Sequence, residues 1–271
     1  TSYAIAKATT MVDGKLEFKD VKNFKLNVDR QEFLDAIKEV VPAYGSDLTT
    51  LEQLRGEVYP YKAYKEKKDE MLYKIRNSPH ANITCLIDGQ PGTGTTAFAA
   101  DLALTLSAPY TKLIASYHLL GLSEFQKVAQ IASLFEEAYK SPHSVLLLDG
   151  LETLIEFTNI GPRFSNTILQ AILACLVRPH PHPDRKLTVI CTSSLPFLND
   201  LGLSRAFHLN FSLLPLTIDQ IDEVLLLMGC EDIVRNTDKT NQDIISIKQQ
   251  ELIKLLSLIF LTYKNANGNA S

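Results

Sequence analysis

Ile83-Thr84-Cys85-Leu86-Ile87-Asp88-Gly89-Gln90-Pro91-Gly92-Thr93-Gly94-Thr95-Thr96-Ala97 is the stretch on which the reading of the whole chain turns. A short apolar run ends at Gly89, a Gly-rich turn follows, and apolar residues then recur at helical spacing over 97–106. Strand, glycine turn and helix in that order make the frame of a phosphate-binding loop, whose pattern is Gly, four residues, Gly, Lys, then Ser or Thr. Every position matches except one, because Thr95 stands where the lysine belongs. Gly89, Gln90, Pro91, Gly92, Thr93, Gly94, Thr95, Thr96 and Ala97 are therefore candidate binding residues for the phosphates of a nucleotide. The glycines let backbone N–H groups converge on phosphate oxygens, and the helix N-terminus adds its positive end. Thr96 is placed to reach a magnesium ion. What is missing is the ammonium group. A charge-assisted hydrogen bond contributes roughly 1.5–3 kcal/mol, so its loss weakens binding by about ten- to a hundredfold without abolishing it. Taken alone, the loop reads equally well as an ordinary Gly-rich strand-to-helix turn.

A second element tips that balance. Val145-Leu146-Leu147-Leu148-Asp149 is an apolar strand ending in an acid about fifty residues downstream, which sets Asp149 beside the loop as a second magnesium-side group. In hydrolases of this layout the next residue is an acid that polarises the attacking water; here it is Gly150, so no catalytic residue is assigned. Glu152, two residues on, is expected to point elsewhere, as a helix-start or surface carboxylate.

Outward from these motifs, strand patterns at 110–115, 144–149, 187–192 and 207–211 alternate with helical patterns at 124–139, 164–177 and 198–204. Such alternation predicts an α/β fold with a parallel sheet covered by helices on both faces. A lysine- and glutamate-rich amphipathic helix at 61–76, with Tyr64, Met71, Leu72 and Ile75 on one face, precedes the loop strand. After Pro215 the pattern is helical only, with Thr217 capping a helix over 218–228 and another apolar helix at 250–261. The expected division is a connector at 1–28, an α/β nucleotide-binding domain at 29–214 opening on a helix at 29–40, a small helical lid at 215–264 and a disordered tail at 265–271. The start without Met, in mid-pattern, reads as a fragment of a longer chain.

Lysine and arginine number 27 against 31 aspartate and glutamate, so the overall charge implies no duplex-binding surface. No apolar run approaches the ~18 residues that a membrane span needs. The four cysteines form no CxxC pair, which argues against zinc and a disulfide framework and for a reducing, cytosolic setting. Arg178-Pro179-His180-Pro181-His182-Pro183 reads as a stiff exposed turn rather than a metal site.

The stretch 137–170 carries a resemblance of its own, through Glu-Ala-Tyr-Lys-Ser-Pro, Val-Leu-Leu-Leu-Asp-Gly-Leu-Glu-Thr-Leu and above all Ile160-Gly161-Pro162-Arg163-Phe164-Ser165-Asn166. It closely resembles the second AAA+ module of the vesicular-fusion (N-ethylmaleimide-sensitive factor) ATPase family, its fungal forms in particular. Asp29-Arg30-Gln31-Glu32-Phe33-Leu34 and Pro42-Ala43-Tyr44-Gly45 look like the entrance to that module. The resemblance is strongest over 136–170 and weakens in the last helical part.

This resemblance implies an AAA+ phosphate-loop domain with a helical lid, ATP and Mg2+ as cofactors, and a homo-hexameric ring. Within the parent protein it implies an adaptor (soluble attachment) protein and SNARE complexes as partners, in ER–Golgi and other vesicle transport, cytoplasmic and peripheral to transport membranes. Carried over by position, Gly89, Gly92, Gly94 and Thr95 would line the phosphates and Thr96 and Asp149 would serve magnesium. Thr192 would take the polar sensor place, Val58 and Tyr59 would border the adenine, and Lys254 would reach a phosphate. Arg163 reads as a contact to a neighbouring subunit or, with equal weight, as an arginine bonded within its own loop. Arg205 is out of register with the family's arginine finger and reads as a surface residue. Leu119-Leu120-Gly121-Leu122 lies in the pore-facing segment of such rings and suits pore contact and packing equally well. The expectation is a nucleotide-binding, ring-assembling module that does not itself hydrolyse. A slow but genuine ATPase, or a nucleotide-free scaffold, are its alternatives.

Overall fold

Seven strands and seven α-helices account for the regular structure in a computed structural model that describes residues 9–12, 15–18, 47–158, 163–194 and 203–228. Two compact units divide the chain, Thr1–Gly45 and Ser46–Ser271. In the first, β1 (Thr9–Val12) and β2 (Lys15–Phe18) pair antiparallel with Thr9 opposite Phe18 and Val12 opposite Lys15. The stretch expected as a connector at 1–28 thus contains a hairpin, and the dipeptide Asp13-Gly14 between the two strands is a strong hairpin signal in the sequence.

The second unit holds α1 (Leu48–Arg55), α2 (Lys62–Arg76), β3 (Asn82–Gly89), α3 (Thr95–Leu106), β4 (Tyr110–Ala115), α4 (Glu124–Ala138), β5 (His143–Asp149), α5 (Leu151–Leu154), α6 (Asn166–Val177), β6 (Lys186–Ser193), β7 (Leu209–Leu213) and α7 (Ile218–Leu227). Its sheet runs in the order β4-β5-β6-β3-β7, all parallel. Successive side chains of a strand point to opposite faces, and the core divides accordingly. Leu146 and Leu148 of β5, with Leu86, Val189 and Cys191, pack against α4, α5 and α6. Val145 and Leu147, with Ile83, Cys85, Ile87 and Ile190, pack against α1, α2 and α3. Burial on both faces is why these strands read as continuous apolar runs. Cys85 and Cys191 belong to this core, and burial pushes the Cys85 thiol up to about 12.

Several boundaries have local causes. Ser165 caps α6, its Oγ accepting from the Ile168 amide at 3.1 Å, so the helix expected from 164 begins at Asn166. Thr217 and Gln220 form a capping box on α7, the Thr217 amide donating to Gln220 Oε1 at 3.0 Å. The last strand lies at Leu209–Leu213 rather than 207–211, because Phe207 is drawn into the α6 side of the core before the ladder begins. Of the helix expected over 198–204, only a 3-10 turn at Leu203–Ala206 lies among the described residues. The helices expected at 29–40 and 250–261, the tail 265–271 and Lys254 fall outside them. No helix among the described residues is long and apolar enough to cross a membrane.

Three histidines set an acid limit. Burial lowers the pKa of His143, with Lys186 adding to it, of His180, and of His208, with His80 adding to it. A histidine held neutral in the folded chain protonates more readily unfolded, so its contribution is complete above the unfolded value near ~6.5 and is lost as pH falls through the lower folded values. The midpoint of thermal unfolding is therefore expected to drop from pH 7 to pH 5, with a shallower slope in the H143Q/H208Q double variant. A midpoint that holds or rises over that range would contradict the assignment.

Candidate functional site

The phosphate loop closes the C-terminal end of β3 and opens α3. At Gly89 a side chain has no space: a Cβ would lie 2.5 Å from Thr93 Oγ1, 2.8 Å from the Leu213 carbonyl oxygen and 2.9 Å from Thr95 Cγ2. Gly92 and Gly94 take φ of +91° and +82°, the left-handed region that costs an L-residue roughly 1–2 kcal/mol. Between them the Thr93 amide and hydroxyl both donate to the Gln90 carbonyl, at 3.0 and 2.8 Å, closing the turn. Gly94 caps α3, whose inward face of Phe98, Ala99, Leu102 and Ala103 anchors the loop to the sheet. Thr95 begins that helix in the lysine position, partly exposed, with a hydroxyl and a methyl in place of an ammonium.

Beside the loop, three expected residues meet. Thr96 Oγ1 donates to Asp149 Oδ1 at 2.7 Å, and Thr192 Oγ1 donates to the same oxygen at 2.8 Å. The Gly150 amide in turn donates to Thr192 Oγ1 at 2.7 Å. The parallel register makes this meeting possible, because β5 and β6 end side by side next to the origin of α3. A hydroxyl and a carboxylate are hard oxygen donors and fit Mg2+, which takes one or two protein ligands and completes its shell from phosphates and water. No group of three or more His, Cys, Asp or Glu gathers to hold a metal among the described residues. Tyr117 lies close enough for Asp149 to raise its pKa, burial being the larger cause.

The position after Asp149 carries no side chain, and its backbone conformation disfavours one. Gly150 sits at φ +68°, and a Cβ there would approach Thr153 Oγ1 to 2.9 Å. Its carbonyl accepts from the Thr153 hydroxyl at 2.8 Å and from the Thr153 and Leu154 amides, fixing the turn into α5. Glu152 is in the first turn of α5, as expected, but it is not a loose surface group. Its Oε1 accepts from the Ser194 amide at 3.1 Å and from the Ser194 hydroxyl, tying α5 to the end of β6. That tie had no counterpart in local sequence, since 42 residues separate the partners.

Other expected residues lie apart. Val58 and Tyr59 border a cleft of about 1040 Å³ with Tyr64, Lys68, Asp101 and Leu227, and residues 89–97 do not line it. Asp101 is buried there between Tyr64, whose hydroxyl donates to it at 2.8 Å, and Lys68, whose ammonium is 2.6 Å away. Arg163 bonds through its backbone to Thr158, its amide at 3.4 Å and its carbonyl at 2.9 Å, while its side chain is exposed. Arg205 is exposed on the 3-10 turn. In the segment 119–122, Leu119 is buried and Leu122 packs on the same cluster, whereas Leu120 is 76% exposed. Packing and solvent exposure thus divide that segment between its residues.

A parallel sheet in this order, with a glycine loop on the interior strand β3 and a Thr–Asp pair beside it, defines a phosphate-loop nucleotide-binding domain. The model of the ATPase family associated with various cellular activities (AAA) matches residues 85–212, from the loop strand through to the edge strand. The chain belongs to that family. Among its members the similar proteins are vesicle-fusing ATPases: that of Arabidopsis thaliana is 33% identical over 277 residues, covering 100% of this chain and 36% of the relative. The vesicular-fusion protein SEC18 of Saccharomyces cerevisiae is 35% identical over 235 residues, 83% of this chain and 31% of the relative. The vesicle-fusing ATPase of Dictyostelium discoideum is 36% identical over 216 residues, 76% of this chain and 28% of the relative. The chain spans about a third of the length of these relatives, the extent of one module.

Proposed function

We propose that this chain is the second, ring-assembling module of a hexameric vesicular-fusion ATPase, and that it binds ATP with Mg2+ but does not hydrolyse it. The parent protein would disassemble SNARE complexes with an adaptor protein, on the cytoplasmic side of transport membranes. One observation carries the reading: a glycine phosphate loop, short of its lysine alone, and a magnesium-side pair stand next to a residue with no side chain to serve as a base. Gly89, Gly92 and Gly94 shape the loop, Thr96 and Asp149 share a hydrogen bond, and Gly150 follows in a left-handed turn. Thr96 and Asp149 would hold magnesium, which would supply neutralising charge to the phosphates. Around it, Thr192 orients the Asp149 carboxylate, and the α3 N-terminus offers its amides to the anion. Glu152, the nearest spare acid in sequence, is held by Ser194. Val58 and Tyr59 are proposed for the adenine end and Lys254 for a phosphate, on the resemblance alone.

Calorimetric titration of the chain with ATP and Mg2+, run beside a phosphate-release assay on the same material, tests the proposal. Saturable binding at or below roughly millimolar ATP, with phosphate release indistinguishable from buffer, is the expected outcome. Release that rises and saturates with binding would make the module a slow ATPase instead. An absence of saturable heat at that concentration would make it a nucleotide-free scaffold.

A further inference from the structure

At the opposite end of the sheet from the phosphate loop, a cavity of about 400 Å³ opens where β3 begins and α6 ends. His80, Asn82, Arg178, His180, Arg205 and His208 are among the residues that line it. This concentration of nitrogen donors has no part in the nucleotide site.

The backbone fixes what two of these rings present. The His182 amide donates to His180 Nδ1 at 3.0 Å, and the Thr84 amide donates to His208 Nδ1 at 3.2 Å. An amide nitrogen can only donate, so each Nδ1 accepts, His208 Nδ1 meeting the Thr84 hydroxyl at 2.7 Å as well, and each neutral ring then carries its proton on Nε2. His180 Nε2 is buried and has no hydrogen-bond partner among the described residues. His208 is held in place by His80, whose ring stacks on it at 4.6 Å and 30°. Arg178 is already engaged, by an ion pair with Glu136 and by the Tyr139 ring beneath it. Arg205 makes no ion pair among the described residues. A metal ion is disfavoured, because both Nδ1 lone pairs are taken and both rings offer N–H.

One acceptor completes the pattern. Asn82 Nδ2 donates to the carbonyls of Leu176 and Arg178, at 3.4 and 2.9 Å, which fixes the amide orientation. Its Oδ1 is buried without a partner among the described residues. A ligand that answers all these groups accepts hydrogen bonds on several oxygens, carries negative charge and keeps one O–H of its own.

We propose that this cavity is a binding site for a small protonated oxyanion of the hydrogen-phosphate type, with His180 and His208 as donors, Arg205 as counter-charge and Asn82 Oδ1 accepting the anion's hydroxyl. The proposal does not rest on the nucleotide reading, and its test leaves the phosphate loop out of the readout. Imidazole C–H resonances of the isotope-labelled full chain are followed at pH 7.5 and constant ionic strength while inorganic phosphate is added. His180 and His208 are expected to shift together and saturate, with a dissociation constant of roughly millimolar order. Sulfate, which has no proton to give Asn82, should bind about two- to tenfold more weakly. R205Q should weaken phosphate by about tenfold or more, as loss of a charge-assisted contact does. Resonances that do not move, or move linearly without saturating, would overturn the site. So would equal responses in R205Q and the unsubstituted chain, or a preference for sulfate.

Discussion

Thr95→Lys is expected to tighten ATP binding by about ten- to a hundredfold, the range that one recovered charge-assisted contact supplies, and to leave phosphate release at the level of buffer. The two halves of that result have separate physical causes. Affinity rises because residue 95 opens α3 at the mouth of the loop, partly exposed, so a lysine stem can run through solvent to the terminal phosphates. Turnover does not follow, because a positioned general base contributes about 10²–10⁴ to rate and this chain offers none at the required place. Gly150 has no side chain and a φ of +68°, while Glu152 is turned toward Ser194. Thr95→Met separates charge from reach: it supplies comparable length without the ammonium and should leave the affinity near that of threonine. Titration calorimetry and phosphate release on the three proteins decide the matter. A turnover that climbs in step with affinity in the lysine variant would defeat the assembly reading.

Much of this arrangement was legible in the residue order, and its limits are instructive. Tyr110–Ala115 appears at the predicted bounds because two-sided burial leaves an uninterrupted apolar run bracketed by turns. The Thr96–Asp149–Thr192 cluster was legible for a similar reason. Each residue lies at or one position inside the end of an element, and a parallel sheet brings those ends together. The pairing of β1 with β2 falls in the stretch expected as a connector, although Asp13-Gly14 marks a hairpin there. Helix α1 has no counterpart among the expected elements, because of its eight residues only Leu51 is buried and only Leu54 packs partly beside it, too short a run to show a period. Glu152 with Ser194 and Tyr64 with Asp101 were out of reach for another reason. Those pairs join residues 42 and 37 positions apart, and no local pattern encodes which polar groups meet across elements. His180 and His208 share that difficulty: the Pro-rich turn pointed to an exposed stretch, yet His180 Nε2 is buried against a cavity whose other wall comes from β3 and the 3-10 turn.

Gly89→Ala is expected to eliminate saturable nucleotide binding and to lower the thermal midpoint by roughly 2–10 °C, the span that an overpacking cost of about 1–3 kcal/mol produces in a domain of this size. The added methyl would meet three atoms at once, and they differ in how easily they yield. Thr93 Oγ1 at 2.5 Å and Thr95 Cγ2 at 2.9 Å belong to side chains that can rotate. The Leu213 oxygen at 2.8 Å is backbone on β7, which is paired with β3 through Gly89 itself, so relief there must move a strand. Rotating Thr93 also breaks its hydroxyl bond to Gln90 and loosens the turn that gathers the amides. Gly94→Ala is the contrasting case, since no heavy atom lies within 4 Å of its Cβ and the cost is conformational strain at φ +82°, about 1–2 kcal/mol. Removing the softest obstacle, in the double variant G89A/T93A, should recover part of the stability and little of the binding, because the Leu213 carbonyl stays where it is. Equal ATP affinity and an unchanged midpoint in G89A would mean that β7 can withdraw freely. The loop would then owe its shape to the positive-φ glycines alone and not to its contact with the edge strand.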